Sequence, residues 1–124
     1  EEWDEPQISA IRWVSELVGI AGGHDIFPER AAAPLARDRI LASPDEVIPR
    51  APDLVIGSWC GKKFRAEKVA ARPGWERVPA VRDGELHEIK SPLILQPGPA
   101  ALTDGLDALH AIVAAWTRRD RTSR

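Results

Sequence analysis

The stretch Ser43-Pro44-Asp45-Glu46-Val47-Ile48-Pro49-Arg50-Ala51-Pro52-Asp53-Leu54-Val55-Ile56-Gly57 decides how this chain folds. Leu54-Val55-Ile56-Gly57 is a short apolar run with β-branched members, set between the turn formers Pro52-Asp53 and Ser58. A run with no polar alternation has no face to offer water, so it reads as a strand covered on both sides, as in a parallel sheet. Just upstream, Ser43-Pro44-Asp45-Glu46 is a compact helix start. Ser43 can cap, Pro44 suits the first helical position and Glu46 completes a capping box. Pro49 lacks an amide hydrogen and collides with the preceding turn, which keeps this helix short or kinked.

Working outward, Ile11, Val14, Leu17, Val18 and Ala21 recur at helical spacing. They predict a helix from about Ile8 to Ala21, stopped by Gly22-Gly23. The segment from His24 to Leu41 has no clean period and reads as a surface connection with at most one short turn. Beyond the strand, a modest helix is expected from Arg65 to Ala71, broken at Arg72-Pro73-Gly74-Trp75. Val78 to Val81 and Leu86 to Ile89 flank Asp83-Gly84, a dipeptide favoured in tight hairpins, and predict a strand pair. Prolines punctuate the apolar loop SPLILQPGP. The last helix is marked by Leu102, Leu106, Leu109, Val113 and Trp116, with Gly105 as an internal cost of up to about 1 kcal/mol. Residues 1–117 are read as one lobe and 118–124 as a basic, frayed tail. The order predicts an α/β fold: a small, mostly parallel sheet flanked by helices. Ligands in such sheets bind outside the carboxyl ends of the strands.

A length of 124 residues is one domain. A formal net charge of −2 lacks the basic footprint of a nucleic-acid binder, so no nucleic-acid partner is expected. No apolar run approaches a membrane span. Cys60 is the only cysteine, which excludes an internal disulfide and a cysteine-only zinc site. There is no Met, so the chain is expected to be a piece of a longer protein. Glu1-Glu2-Trp3-Asp4 has neither the basic start nor the apolar core of a signal peptide.

Catalytic patterns fail on inspection. In Gly57-Ser58-Trp59-Cys60-Gly61 the central position, where a nucleophile elbow needs its reactive group, holds Trp59. His24, His87 and His110 stand apart, without the spacing of a zinc motif. Neither a metal nor a cofactor is expected. Tryptophan usage is more informative: five Trp against no Tyr. Trp13 and Trp116 fall within helical patterns and read as core, and Trp75 follows a Pro-Gly turn where it would cap the sheet. Trp59 sits in a polar loop beside Lys62 and Lys63. It has two readings, a ring folded back on the core or a flat platform for a large planar ligand whose anionic rim the lysines attract. Trp3 beside Asp4 invites the second reading more weakly.

The segments EWDEP, WVSELVGIAGGHDIF, SPDEVIPRAPDLVI and RPGWERVPAVRDGELHEI, in this order and spacing, give the chain a family likeness. It resembles the C-terminal lobe of periplasmic-binding-protein-like receptors for vitamin B12 and iron chelates, from Glu1 to about Trp116. WCGKKF and SPLILQPGP are similar to the cobalamin-binding-like subgroup. The resemblance implies a two-lobed receptor that traps its ligand between lobes and delivers it to an ABC transporter permease, with the N-terminal lobe absent here. It implies periplasmic or membrane-anchored extracytoplasmic localisation. The cleft positions of such receptors match Trp3, Asp4, Trp59, Cys60, Lys62, Lys63, Leu93 and Ile94. The chain departs from the subgroup where an aromatic is replaced by Leu93-Ile94, and where an acidic permease-docking residue is replaced by Leu95-Gln96. Glu88 or Asp104 could take the place of that acidic residue.

The expectation is therefore a binding module for a large metal chelate, cobalamin-like first and ferric siderophore or haem second. The competing class is an enzyme or regulatory domain that reuses the fold, with Cys60 as its reactive residue. An isolated lobe would also expose the apolar surface that meets its partner lobe, and self-association is expected.

Overall fold

Two short parallel strands form the middle layer. The structure is a computed structural model that describes residues 10–58, 63–94 and 101–122. Strand β1 (Val55–Gly57) pairs with β2 (Leu86–Glu88), Val55 opposite Leu86, Ile56 opposite His87 and Gly57 opposite Glu88. The apolar run thus forms the parallel strand its composition demands. Side chains alternate across it. Val55 and Leu86 face a cluster built on Phe27, Phe64, Val69, Trp75 and Val78, whereas Ile56 packs with Val14, Leu17, Ile94 and Leu109 on the other side.

Helices cover both faces. On the Ile56 side lie α1 (Arg12–Ile20), α5 (Ser91–Ile94) and the long α6 (Leu106–Thr122). Between the strands, α3 (Ala66–Ala70) and α4 (Pro79–Arg82) contribute Val69 and Ala80 to the Trp75 side. Helix α1 ends as glycine predicts. Gly22 adopts φ +100°, its N–H donates to the Gly19 carbonyl at 3.1 Å, and the Gly23 N–H reaches the Val18 carbonyl at 2.9 Å.

Four expectations are corrected. The predicted hairpin around Asp83-Gly84 does not form: Val81 lies within α4, and β2 runs parallel to β1. Gly84 does adopt the left-handed conformation, at φ +71°, but as the residue past a helix end. Its N–H donates to the Val81 carbonyl and that of Glu85 to the Ala80 carbonyl, at 3.3 and 2.7 Å, the bonding of a glycine helix cap. The segment from His24 to Leu41 is not a surface connection. It holds the short turn expected there, α2 (Pro28–Ala31), but it buries Phe27, Ala31, Arg39 and Leu41. Arginines organise it: Arg50 stacks 4.1 Å over the Phe27 ring, and Arg30 bridges Glu46 at 2.8 Å and the Ile40 carbonyl at 3.2 Å.

The capped start at Ser43 yields two single 3₁₀ turns, Pro44–Glu46 and Ile48–Arg50, in place of one helix. The capping contacts are present: Ser43 Oγ accepts the Asp45 N–H at 3.1 Å, and Glu46 accepts the Ala42 N–H at 2.7 Å. Finally, α6 continues through Thr122, so residues 118–122 are helical and not a frayed tail. What holds that end is a buried carboxylate. Glu85, its side chain 3% exposed, pairs with Arg119 of α6 and accepts from His87 Nε2 at 2.7 Å. Burial pushes the His87 pKa below its ordinary value, which keeps the ring neutral near pH 7.

Candidate functional site

The carboxyl ends of β1 and β2 meet at a small platform whose geometry begins with Gly57. A Cβ there would lie 2.0 Å from the Phe64 ring. Only glycine therefore leaves room for the Phe64 ring to pack directly on β1. Ser58 and Phe64 are both tied to β2. The buried Ser58 hydroxyl donates to the Ile89 carbonyl at 2.6 Å, and the Phe64 N–H donates to Glu88 Oε2 at 3.0 Å. The second is a charge-assisted bond, stronger than its neutral counterpart. Lys63, next to Phe64 in the chain, is exposed.

A second segment approaches from the other side. After Ile89 the chain enters α5, where Leu93 is half-buried and Ile94 is only 2% exposed within the α1–α6 core. The backbone here lies so close to the turn Ala101–Gly105 that a Cβ on Gly105 would sit 2.2 Å from the Leu93 carbonyl oxygen. Gly105, an internal cost in the helical pattern, is the residue that admits this approach. The turn takes π geometry, a form that often marks a local functional or packing constraint.

Of the eight residues named from sequence, the structure describes three. Lys63 is exposed at the base of the loop, Leu93 lies at its neighbouring segment, and the Ile94 side chain belongs to the core. Trp3, Asp4, Trp59, Cys60 and Lys62 lie outside the described residues. Trp13 and Trp116 are partly buried, and Trp75, at 1% exposed, is a core residue and not a cap on the sheet. His24 and His110 are exposed, and His87 is engaged by Glu85. Among the described residues no three His, Cys, Asp or Glu side chains are grouped to hold a metal ion.

Sequence reasoning missed Ser58 and Glu88 as the two anchors of the loop. Ser58 was visible as the polar residue ending a buried strand, a position where a hydroxyl must find a partner. Glu88 carried a weaker signal, since its role depends on the register that sets Gly57 opposite it. Among the described residues, Lys63 and Lys90 are exposed beside these strand-end segments in the chain.

Comparison with known families gives a match. The periplasmic binding protein family profile covers residues 1–93, most of the 124-residue chain. The chain belongs to that family. It is a family of substrate-binding proteins associated with ABC transporters and typically without enzymatic activity. Among the described residues no helix is long and apolar enough to cross a membrane. No curated protein and no solved structure matches the chain.

Proposed function

We propose that this member of the periplasmic binding protein family is the C-terminal lobe of an ABC importer's substrate-binding component. Its cargo is a large metal chelate, a cobalamin first and a ferric siderophore or haem second. The observation that supports this most is the family match over residues 1–93, which spans Trp3-Asp4, the Trp59 to Lys63 loop and Leu93. In an open α/β sheet these strand-end segments are where a ligand belongs. The lobe does no chemistry: it contributes one wall of a cleft, and an N-terminal lobe supplies the other. Trp59 serves as the apolar platform, while Lys62 and Lys63 draw the anionic rim of the chelate. The receptor works outside the cytoplasm, free in the periplasm or anchored to a membrane, and docks on a permease.

Absorption titration of the full-length receptor with cyanocobalamin, a ferric hydroxamate and haemin tests the reading. Saturable binding of one of these is expected, and no shift with any of them would sink the chelate assignment. Trp59→Ala then tests the platform. It should weaken binding by about 1–3 kcal/mol, the loss expected for an aromatic anchor, and leave chemical denaturation within about 0.5 kcal/mol of the parent. A stability loss of roughly 3–5 kcal/mol would instead identify Trp59 as core.

A further inference from the structure

At the amino end of β2 one buried carboxylate serves two cationic or basic partners. Glu85, its side chain 3% exposed, is paired through Oε1 with Arg119 of α6 and through Oε2 with His87 Nε2 at 2.7 Å. A carboxylate only accepts, so this contact puts the proton of the neutral ring on Nε2 and leaves Nδ1 as its basic nitrogen. Arg119 already balances the Glu85 charge. An imidazolium would be a second cation on the same carboxylate, at a place where burial disfavours charge on the ring. The two partners differ in what they lose by leaving. His87 is fixed in the strand opposite Ile56, with its side chain 32% exposed. The Arg119 side chain is 60% exposed, near the end of α6, and can turn its guanidinium to water. The other charges near the cluster come from two elements. Arg118 and Asp120 flank Arg119 on α6. After α4, the Asp83 carboxyl is held below its ordinary pKa by the Arg82 guanidinium first and by the Arg119 charge as well. The residues of α1 and α5 that pack on this side of the sheet are apolar.

We propose that Glu85, His87 and Arg119 form an acid-sensitive latch on the end of α6. Near neutral pH Glu85 holds Arg119; when His87 Nδ1 takes a proton from solvent, the imidazolium keeps the carboxylate and Arg119 is released. One proton is taken up and no covalent bond of the chain changes. The direction follows from the burial of the ring. The folded chain protonates His87 less readily than an unfolded one, so the latch is fully closed above the ordinary histidine range, about pH 6.5, and loosens as pH falls below it. Arg119 is the member that moves, because it alone of the three is mostly exposed. The device lies at the opposite end of the strands from the candidate site, and it holds whatever the ligand is.

Amide hydrogen exchange of the 124-residue chain, read as protection relative to an unstructured chain at the same pH, tests it. Between about pH 7.5 and about pH 5, protection at Thr117 to Asp120 should fall by about 10-fold while that of Val14 to Leu17 in α1 holds. His87→Gln keeps an N–H donor for Glu85 but takes up no proton, so protection in this variant should be the same at both pH values. Protection in the parent that does not fall, that falls equally in α1, or that falls as far in His87→Gln overturns the proposal. A second measurement does not depend on that variant. If the imidazolium and Arg119 compete for Glu85, the competition is reciprocal, and Arg119→Gln should raise the pKa of the His87 ring, followed by NMR, by at least about 0.5. A ring that titrates at the same pH with and without Arg119 overturns the latch.

Discussion

The two ends of strand β2 carry glutamates three residues apart, and they live in different worlds. Glu85, at the amino end, is buried, faces α6 and is held by Arg119 and His87. Glu88, at the carboxyl end, is exposed and holds the Phe64 N–H at the base of a loop. One carboxylate closes the molecule and the other steadies an open edge. The contrast follows from the sheet: parallel strands place all their carboxyl ends together, so binding segments gather there while the amino end is left to stability. Substitutions at the closed side should therefore cost folding, and substitutions at the open end should cost ligand.

The largest expected effect is on the face away from α6. Trp75 is 1% exposed and central to its cluster, and Trp75→Ala should lower stability by about 3–5 kcal/mol. Urea unfolding measures it, and a loss below 1 kcal/mol would mean that this cluster is not the core of the lobe. At the amino end, Arg119→Ala leaves the buried Glu85 with His87 alone. A fully buried pair costs about 3–5 kcal/mol to break. The Arg119 side chain is 60% exposed, so water already weakens the pair and the loss should be nearer 1–2 kcal/mol. An unchanged unfolding midpoint would show that the end of α6 is held by something else.

How far these ends could be read in advance depended on whether a local signal had one meaning. The run Leu54 to Gly57 had one, because a short apolar β-branched stretch between turn formers fits little besides a covered strand. Asp83-Gly84 had two: a left-handed glycine closes a hairpin or ends a helix, and only the Ala80 and Val81 carbonyls behind it decide for the helix. The Phe27 region had none, since its order comes from Arg30 and Arg50 reaching carbonyls and a ring far off in sequence. At the site, the strand-end rule singles out segments from their place in the chain, and Ile94 shows its limit. An apolar residue near a strand end is as easily core as cleft, and the close approach of Gly105 to Leu93 sets which.

The open end should respond in the opposite sense. Glu88→Ala removes one charge-assisted bond to the Phe64 backbone, worth about 1 kcal/mol of stability at an exposed site. On the proposed reading, the same change in the full-length receptor should weaken chelate binding more than folding, because it frees the Phe64 backbone that follows Trp59 to Lys63 in the chain. Calorimetric titration beside urea unfolding separates the two. Equal losses in both would place Glu88 with Glu85 as a closing residue and erase the contrast between the ends.

The smallest effect on the fold, and the sharpest test of the comparison, belongs to Lys63. Its side chain is exposed at the base of the loop, so Lys63→Glu should change stability by no more than about 0.5 kcal/mol. Its effect on an anionic chelate is electrostatic and acts through solvent, which gives it a signature that packing lacks: it must fade as salt rises. At low ionic strength the reversed charge should weaken binding clearly. Near 1 M salt, where the screening length falls to about 3 Å, parent and variant should converge. A deficit that persists at high salt would mean that Lys63 contacts the ligand directly or shapes the loop. No deficit at any salt would move the anion-attracting role to Lys62 or remove it from this edge altogether.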